Sequence, residues 1–357
     1  MSAATSWRRF LLTLLGAFVG ALAAVALFIA LMNPFGNLPH LLFAEHVAMD
    51  EHQRFQYPAV IRTHRYESLV LGTSTARLLD PAVLERHFPG RFAQLAMNSA
   101  TAWEQTQIAR LFLRHTPAPR TLIVGLDYVW CDGAADVNRI THRGFPEWMY
   151  DENVWNDLPY MLNARTLEIA GRRVGYALGL ARAPLGANGY GVFVPPESKY
   201  DLAKARRKIW GKEGPRVISP VVPPFAATDR QKASWRYPAL AWLGDIIEPG
   251  RWQQVLLVYM PVHIATQPVA GSEGAARDAA CRSEIAAIAA RAGAHLIDFR
   301  LASRLTSNDV NYWDALHVRV PVATRIAEEI ATAVAMRADD PAGDWRYLGG
   351  PSARQIP

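Results

Sequence analysis

The stretch Ser68-Leu69-Val70-Leu71-Gly72-Thr73-Ser74-Thr75-Ala76-Arg77 reads as a short apolar strand, a glycine, and a serine delivered into a turn that opens a helical run. A continuous aliphatic run bounded by a glycine describes a strand buried on both faces, as in a parallel sheet. The carboxyl ends of such strands are where open α/β sheets hold their ligands. A serine hydroxyl is a weak nucleophile. Ser74 therefore acquires chemistry only if the fold supplies a base, a group that orients the base, and donors for an oxyanion. Without them it is a polar residue at the start of the next helix.

Outward from this stretch the pattern repeats. Asp80-Pro81 caps a short helix that ends at Phe88-Pro89-Gly90, a strand follows over Phe92 to Met97, and a helix runs through Arg114. The almost wholly aliphatic Thr121 to Leu126 is a third strand, ending in Asp127-Tyr128-Val129-Trp130-Cys131. Strands alternating with helices at this spacing predict a parallel sheet with right-handed crossovers. Residues 132–237 lose the pattern and carry Trp148, Trp155 and Trp210 among basic residues, glycines and prolines; they read as an inserted, partly helical cap. Its aromatics suit stacking on sugar faces and equally the core of a small lobe. The α/β pattern resumes with strands Gln254 to Met260 and Ala294 to Phe299 around an alanine-rich helix from Ala279 to Arg291, and closes with an amphipathic helix from Pro321 to Met336. Residues 338–357 read as a loose tail.

Before the sheet, residues 10–32 form an uncharged apolar segment preceded by Arg8 and Arg9. At about 1.5 Å per residue it spans a bilayer core of about 30 Å. It is longer than a signal peptide's apolar region and closes without a small-x-small site, which favours an uncleaved anchor, with residues 1–9 cytoplasmic and the rest outside. Residues 33–66 are a polar connector, read as a surface helix. Its His40, Glu45, His46, Asp50 and His52 are the place to look for a metal, but their spacings do not converge, so no metal site and no cofactor is assigned.

Half of the 357 residues are hydrophobic, enough for a full core. The net charge of +6 and pI near 9.4 come from scattered lysines and arginines. The densest run, Lys204 to Lys208, fits a solvated face or anionic lipid heads as well as nucleic acid, and no nucleic-acid motif accompanies it. Two cysteines, Cys131 and Cys281, exclude a cysteine-ligated zinc site and a disulfide framework; a single bridge or two buried thiols both fit.

Asp314 and His317 lie three residues apart, after the last strand and before the last helix. One turn can carry both, so that the carboxylate fixes the imidazole tautomer while the other ring nitrogen faces a nucleophile. That position reaches the sheet edge on which Ser74 stands. Gly72-Thr73-Ser74 after the first strand, Ser99-Ala100-Thr101-Ala102-Trp103-Glu104 after the second, Gly125-Leu126-Asp127 after the third and Asp314-x-x-His317 near the end together resemble the four blocks of the SGNH/GDSL hydrolases, in particular the membrane-anchored branch that includes alginate and cell-wall O-acetylation proteins.

The resemblance covers residues 66 to 335 and implies a three-layer, flavodoxin-like α/β domain in two parts, 67–131 and 238–337, around the cap. It makes Ser74 the nucleophile, His317 the base and Asp314 its orienting partner, with oxyanion donors from the backbone N–H groups of Ser74 and Ser99. Ser99 replaces the family's usual glycine, which matters if the turn requires φ > 0. Asp127 replaces an asparagine whose side chain donates to the oxyanion; a carboxylate there repels the charge. The implied function is an ester hydrolase or O-acetyltransferase of a cell-envelope glycan facing the periplasm or cell exterior, with a membrane O-acyltransferase as a partner for the transferase case. The alternative is a catalytically silent binding or assembly subunit of the same system.

Overall fold

The computed structural model describes residues 3–38, 42–43 and 45–351; His40 and the end of the tail lie outside them. In chain order the helices are α1 (Ala3–Met32), α2 (Gln53–Arg62), α3 (Pro81–Leu84), α4 (Ala102–His115), α5 (Asp157–Met161), α6 (Ala164–Ala177), α7 (Leu202–Trp210), α8 (Asp229–Ser234), α9 (Ala239–Ile246), α10 (Glu273–Ala292), α11 (Arg304–Ser307) and α12 (Val320–Met336). The strands are β1 (Ser68–Leu71), β2 (Phe92–Gln94), β3 (Thr121–Leu126), β4 (Gln254–Tyr259), β5 (His295–Asp298) and β6 (Arg346–Gly349). They form two compact units, one of residues 1–63 and 146–187, the other of residues 64–145 and 188–357.

The larger unit is an α/β domain on one six-stranded sheet ordered β2-β1-β3-β4-β5-β6. The first five strands are parallel, with Leu69 opposite Ala93 and Leu122, and Leu256 opposite His295. Burial of β1 and β3 along their whole length explains their unbroken aliphatic runs, because helices cover both sides. Val70, Ile123, Leu256 and Ile297 pack into one cluster with Ile326 and Ile330 of α12, while α4 packs against α9, and α9 against α10. Local chemistry sets the helix starts. Asp80 caps α3 at the N–H of Ala82, and Thr101 with Glu104 forms a reciprocal capping box on α4. Cys131 and Cys281 are joined in a disulfide, with Cα atoms 5.8 Å apart, tying the segment after β3 to α10.

Two sequence expectations are corrected here. The sheet is mixed rather than parallel, because β6 runs antiparallel to β5. The strand comes from the stretch expected to be a loose tail: Trp345 is buried, and the hydroxyl of Tyr347 meets Nδ1 of His295 at 2.8 Å.

The smaller unit holds α1, α2, α5 and α6. From Trp7 to Met32, α1 is long and apolar enough to cross a membrane. The connector helix α2, expected on the surface, instead buries Tyr57, Ala59, Val60 and Ile61. The region read as one cap does not stay together. Residues 146–187 belong to this unit, with Trp148 stacked on Tyr160 at 5.3 Å, while Trp210 lies in the core of the larger one. Both reassignments have the same cause, since the partners of these segments are distant in sequence. His46 and Asp50 are not on a helix, and among the described residues no group of three or more His, Cys, Asp or Glu side chains is placed to hold a metal.

Candidate active site

The site is built where β1 ends. Gly72 follows Leu71 at φ +152°, and a Cβ on it would stand 2.7 Å from the Cβ of Ala76; one on Gly125, beside it on β3, would stand 2.6 Å from the same atom. The two glycines let the turn after β1 settle onto the strand ends, and this close approach fixes Ser74. The turn closes on its own backbone, with the N–H of Ala76 donating to Thr73 O at 3.2 Å and that of Leu79 to Ala76 O at 3.1 Å.

The other half comes from the loop between α11 and α12. The N–H of Trp313 donates to His317 O at 2.9 Å and that of Arg319 to Asn311 O at 2.9 Å, with Tyr312 and Val318 paired as an antiparallel bridge. At the tip, Oδ1 of Asp314 accepts the N–H groups of Leu316 and His317 at 2.9 and 3.0 Å. Nδ1 of His317 lies 2.9 Å from both oxygens of Asp314, and its Nε2 lies 2.8 Å from Ser74 Oγ. The three residues singled out in the sequence thus form one hydrogen-bonded chain. With Nδ1–H donating to the carboxylate, Nε2 is left to accept the serine hydroxyl. Burial works to raise the Asp314 carboxyl, but the hydrogen bond and charge of His317 outweigh it and hold the group below the usual carboxylate range. The hydrogen-bonded chain is only partly shielded from solvent, with the His317 and Asp314 side chains 20 % and 31 % exposed.

The two remaining candidates have different roles. Asp127 is buried, and its Oδ2 accepts the hydroxyl of Thr73 while its Oδ1 accepts the N–H of Val129 at 3.3 Å. It clamps the residue next to Ser74. Burial raises its carboxyl, opposed by the charge of Arg300 and by the Thr73 hydrogen bond. Ser99 follows β2 with φ +53°, so the turn does take the left-handed conformation that glycine favours. It stands at the same sheet edge, two residues beyond Met97, whose N–H donates to Gly72 O at 3.0 Å.

Sequence reasoning missed the groups that hold this chain in place. Phe193 sets its ring edge-on to His317 at 5.2 Å, and Arg77 lies 4.4 Å over the Phe193 ring while donating to Asn98 Oδ1 at 2.8 Å. A buttress supports the loop that carries Asp314 and His317: the N–H of His263 donates to Ala315 O at 2.8 Å, and its Nε2 lies 3.1 Å from Asp309 Oδ1. Asp309 also accepts from Trp210 Nε1 at 2.8 Å and from Arg206 Nε at 2.8 Å. Because His263 is fully buried, desolvation lowers its affinity for a proton more than Asp309 restores it, and Nδ1 accepts the N–H of Ala265 at 3.1 Å. It is therefore a neutral structural imidazole. The one available signal was the position of Pro261-Val262-His263 at the carboxyl end of β4, beside the same edge.

No family model, curated protein or solved structure matches the chain.

Proposed function

We propose that this protein is a membrane-anchored, extracytoplasmic serine esterase or O-acetyltransferase of SGNH type, acting on a cell-envelope polysaccharide. The observation that carries the reading is the 2.8 Å contact between Ser74 Oγ and His317 Nε2, with Nδ1 of the same ring on Asp314 at 2.9 Å. Strand order 2-1-3-4-5 for the five parallel strands is that of flavodoxin-like sheets and supports the fold assignment. Arg8 and Arg9, at the start of the apolar run of α1, support a cytoplasmic N-terminus, and the Cys131–Cys281 bridge suits an oxidising compartment for the domain.

In this reading Ser74 Oγ attacks an ester carbonyl as His317 Nε2 takes the hydroxyl proton. The oxyanion is held by the backbone N–H groups of Ser74 and Ser99. On collapse, the C–O bond to the leaving alcohol breaks and His317 returns the proton to that oxygen, leaving an acyl-Ser74 ester. His317 then deprotonates water or a sugar hydroxyl, which attacks the acyl carbon and releases Ser74. Water gives a hydrolase and sugar a transferase; in the second case a membrane O-acyltransferase supplies the acyl group. The carboxylate of Asp127 where a donor is expected favours a second reading, a binding or assembly subunit of the same envelope system that keeps the triad without turnover.

The test is hydrolysis of p-nitrophenyl acetate by the full chain in detergent. Ser74→Ala and His317→Ala are each expected to lower kcat by about 10³-fold or more. Wild-type activity in Ser74→Ala would refute the acyl-serine route, and a folded wild type without activity would favour the binding subunit.

A further inference from the structure

The smaller unit carries large apolar side chains in the open, outside the transmembrane stretch. Trp155, Tyr160, Leu162, Leu167, Leu178 and Leu180 all lie between residues 155 and 180, and Trp155 and Leu180 are 76 % and 81 % exposed. Their arrangement has an order. In α6 the positions Thr166, Ile169, Ala170 and Arg173 are buried, Arg165, Glu168 and Arg172 form a charged face, and Leu167 and Gly171, continued by Leu178 at the C-cap, fall on a third, apolar and exposed stripe. A soluble surface helix normally has two such faces rather than three.

The location of α6 says what covers the third. It packs against α1. The stretch of α1 from Trp7 to Ala24 is bare along its length, and cover begins at Val25, with Ile29 and Met32 buried. The bare stretch is about 27 Å long, close to the roughly 30 Å thickness of a bilayer's hydrocarbon core. The bilayer therefore ends where the bare stretch of α1 ends, which puts α6, packed against α1, and its flanks at headgroup depth. Trp and Tyr at that depth, with leucines beside them and a charged face flanking the stripe, are the composition of a segment lying in the interface.

We infer that α5, α6 and the segment through Leu180 form a second membrane contact, seated in the headgroup–acyl boundary of the bilayer that α1 crosses. This rests on the reading of α1 as an anchor. Insertion is apolar in origin rather than electrostatic, because Arg165 and Arg172 are already paired with Asp50 and Glu168 at 2.7–2.8 Å. The contact should persist at low and high salt alike.

The experiment is spin labelling of the full chain in lipid nanodiscs at Trp155→Cys, Leu167→Cys and Leu178→Cys, reading collisions with oxygen against those with a water-soluble nickel chelate. Leu14→Cys on bare α1 supplies the lipid reference and exposed Lys232→Cys the aqueous one; the native cysteines are paired and do not label. At all three positions the oxygen-to-nickel ratio should exceed that at Lys232→Cys by about threefold or more and fall short of that at Leu14→Cys. Aqueous values at the three positions with a lipid value at Leu14→Cys would overturn the second contact, leave the anchor intact, and point to a protein partner on this face. An aqueous value at Leu14→Cys would remove the anchor and the inference together.

Discussion

Both carboxylate oxygens of Asp127 are engaged, one by the Thr73 hydroxyl and one by the Val129 N–H, and Thr73 is a single residue away from Ser74. On the proposed acyl-serine route, the clamp orients the turn but sets an acidic side chain beside the place where the oxyanion would form, at some cost to the transition state. Asp127→Asn keeps an oxygen to accept from Thr73 and removes the charge. It should raise kcat for p-nitrophenyl acetate by about tenfold or more, while lost hydrogen bonding lowers stability by about 1 kcal/mol. A lower kcat would show that the clamp matters more than the charge. At this scale the meeting of Ser74, Asp314 and His317 was legible because each stands at the end or start of an element. Phe193, His263 and Asp309 were not, since their roles are set by contacts between residues more than 40 positions apart in sequence. Ser99 was half legible. The substitution for glycine was visible, but that its φ is +53° could be known only from the turn.

Helix α12 directs His317 by its starting point, and it carries a buried acid that ties its stability to pH. Glu329 meets Arg325 at 3.2 Å through one oxygen, yet its other oxygen is buried without a partner. Desolvation outweighs the help from Arg325 and raises the carboxyl to about 7. The folded state thus holds the proton more tightly than the unfolded chain does. The stability from this group is full below the ordinary value of 4.5 and is lost as pH rises through about 7. Glu329→Gln should stabilise the protein by about 1–3 kcal/mol at about pH 8 and leave it nearly unchanged at about pH 4.5, read as the pH dependence of Tm. A gain that is equal at both pH values would contradict it. Elements with strong local signals, such as α3 behind Asp80-Pro81 and α4 behind its capping box, could be read from sequence. Strand β6 could not, because its four residues alternate between exposed and half-buried and gain their conformation from pairing with β5.

In the whole molecule, the division into two units was the least legible feature. Residues 132–237 are continuous in sequence, yet 146–187 fold with the N-terminal segment and the remainder with the sheet. Hydrophobic patterning marks which side chains want cover but not which distant segment provides it. The alternation of strands and helices, by contrast, fixed the order in which chemistry-bearing residues reach one sheet edge, and it is on that edge that the 2.8 Å contact from Ser74 to His317 lies. The central claim is that this contact activates Ser74. The direct measurement is reaction of the full chain in detergent with a fluorophosphonate probe, with the adduct located by peptide mass spectrometry. The account predicts one adduct on Ser74 in the wild type and none in Ser74→Ala or His317→Ala. An unlabelled but folded wild type, or an adduct that survives His317→Ala undiminished, would contradict it.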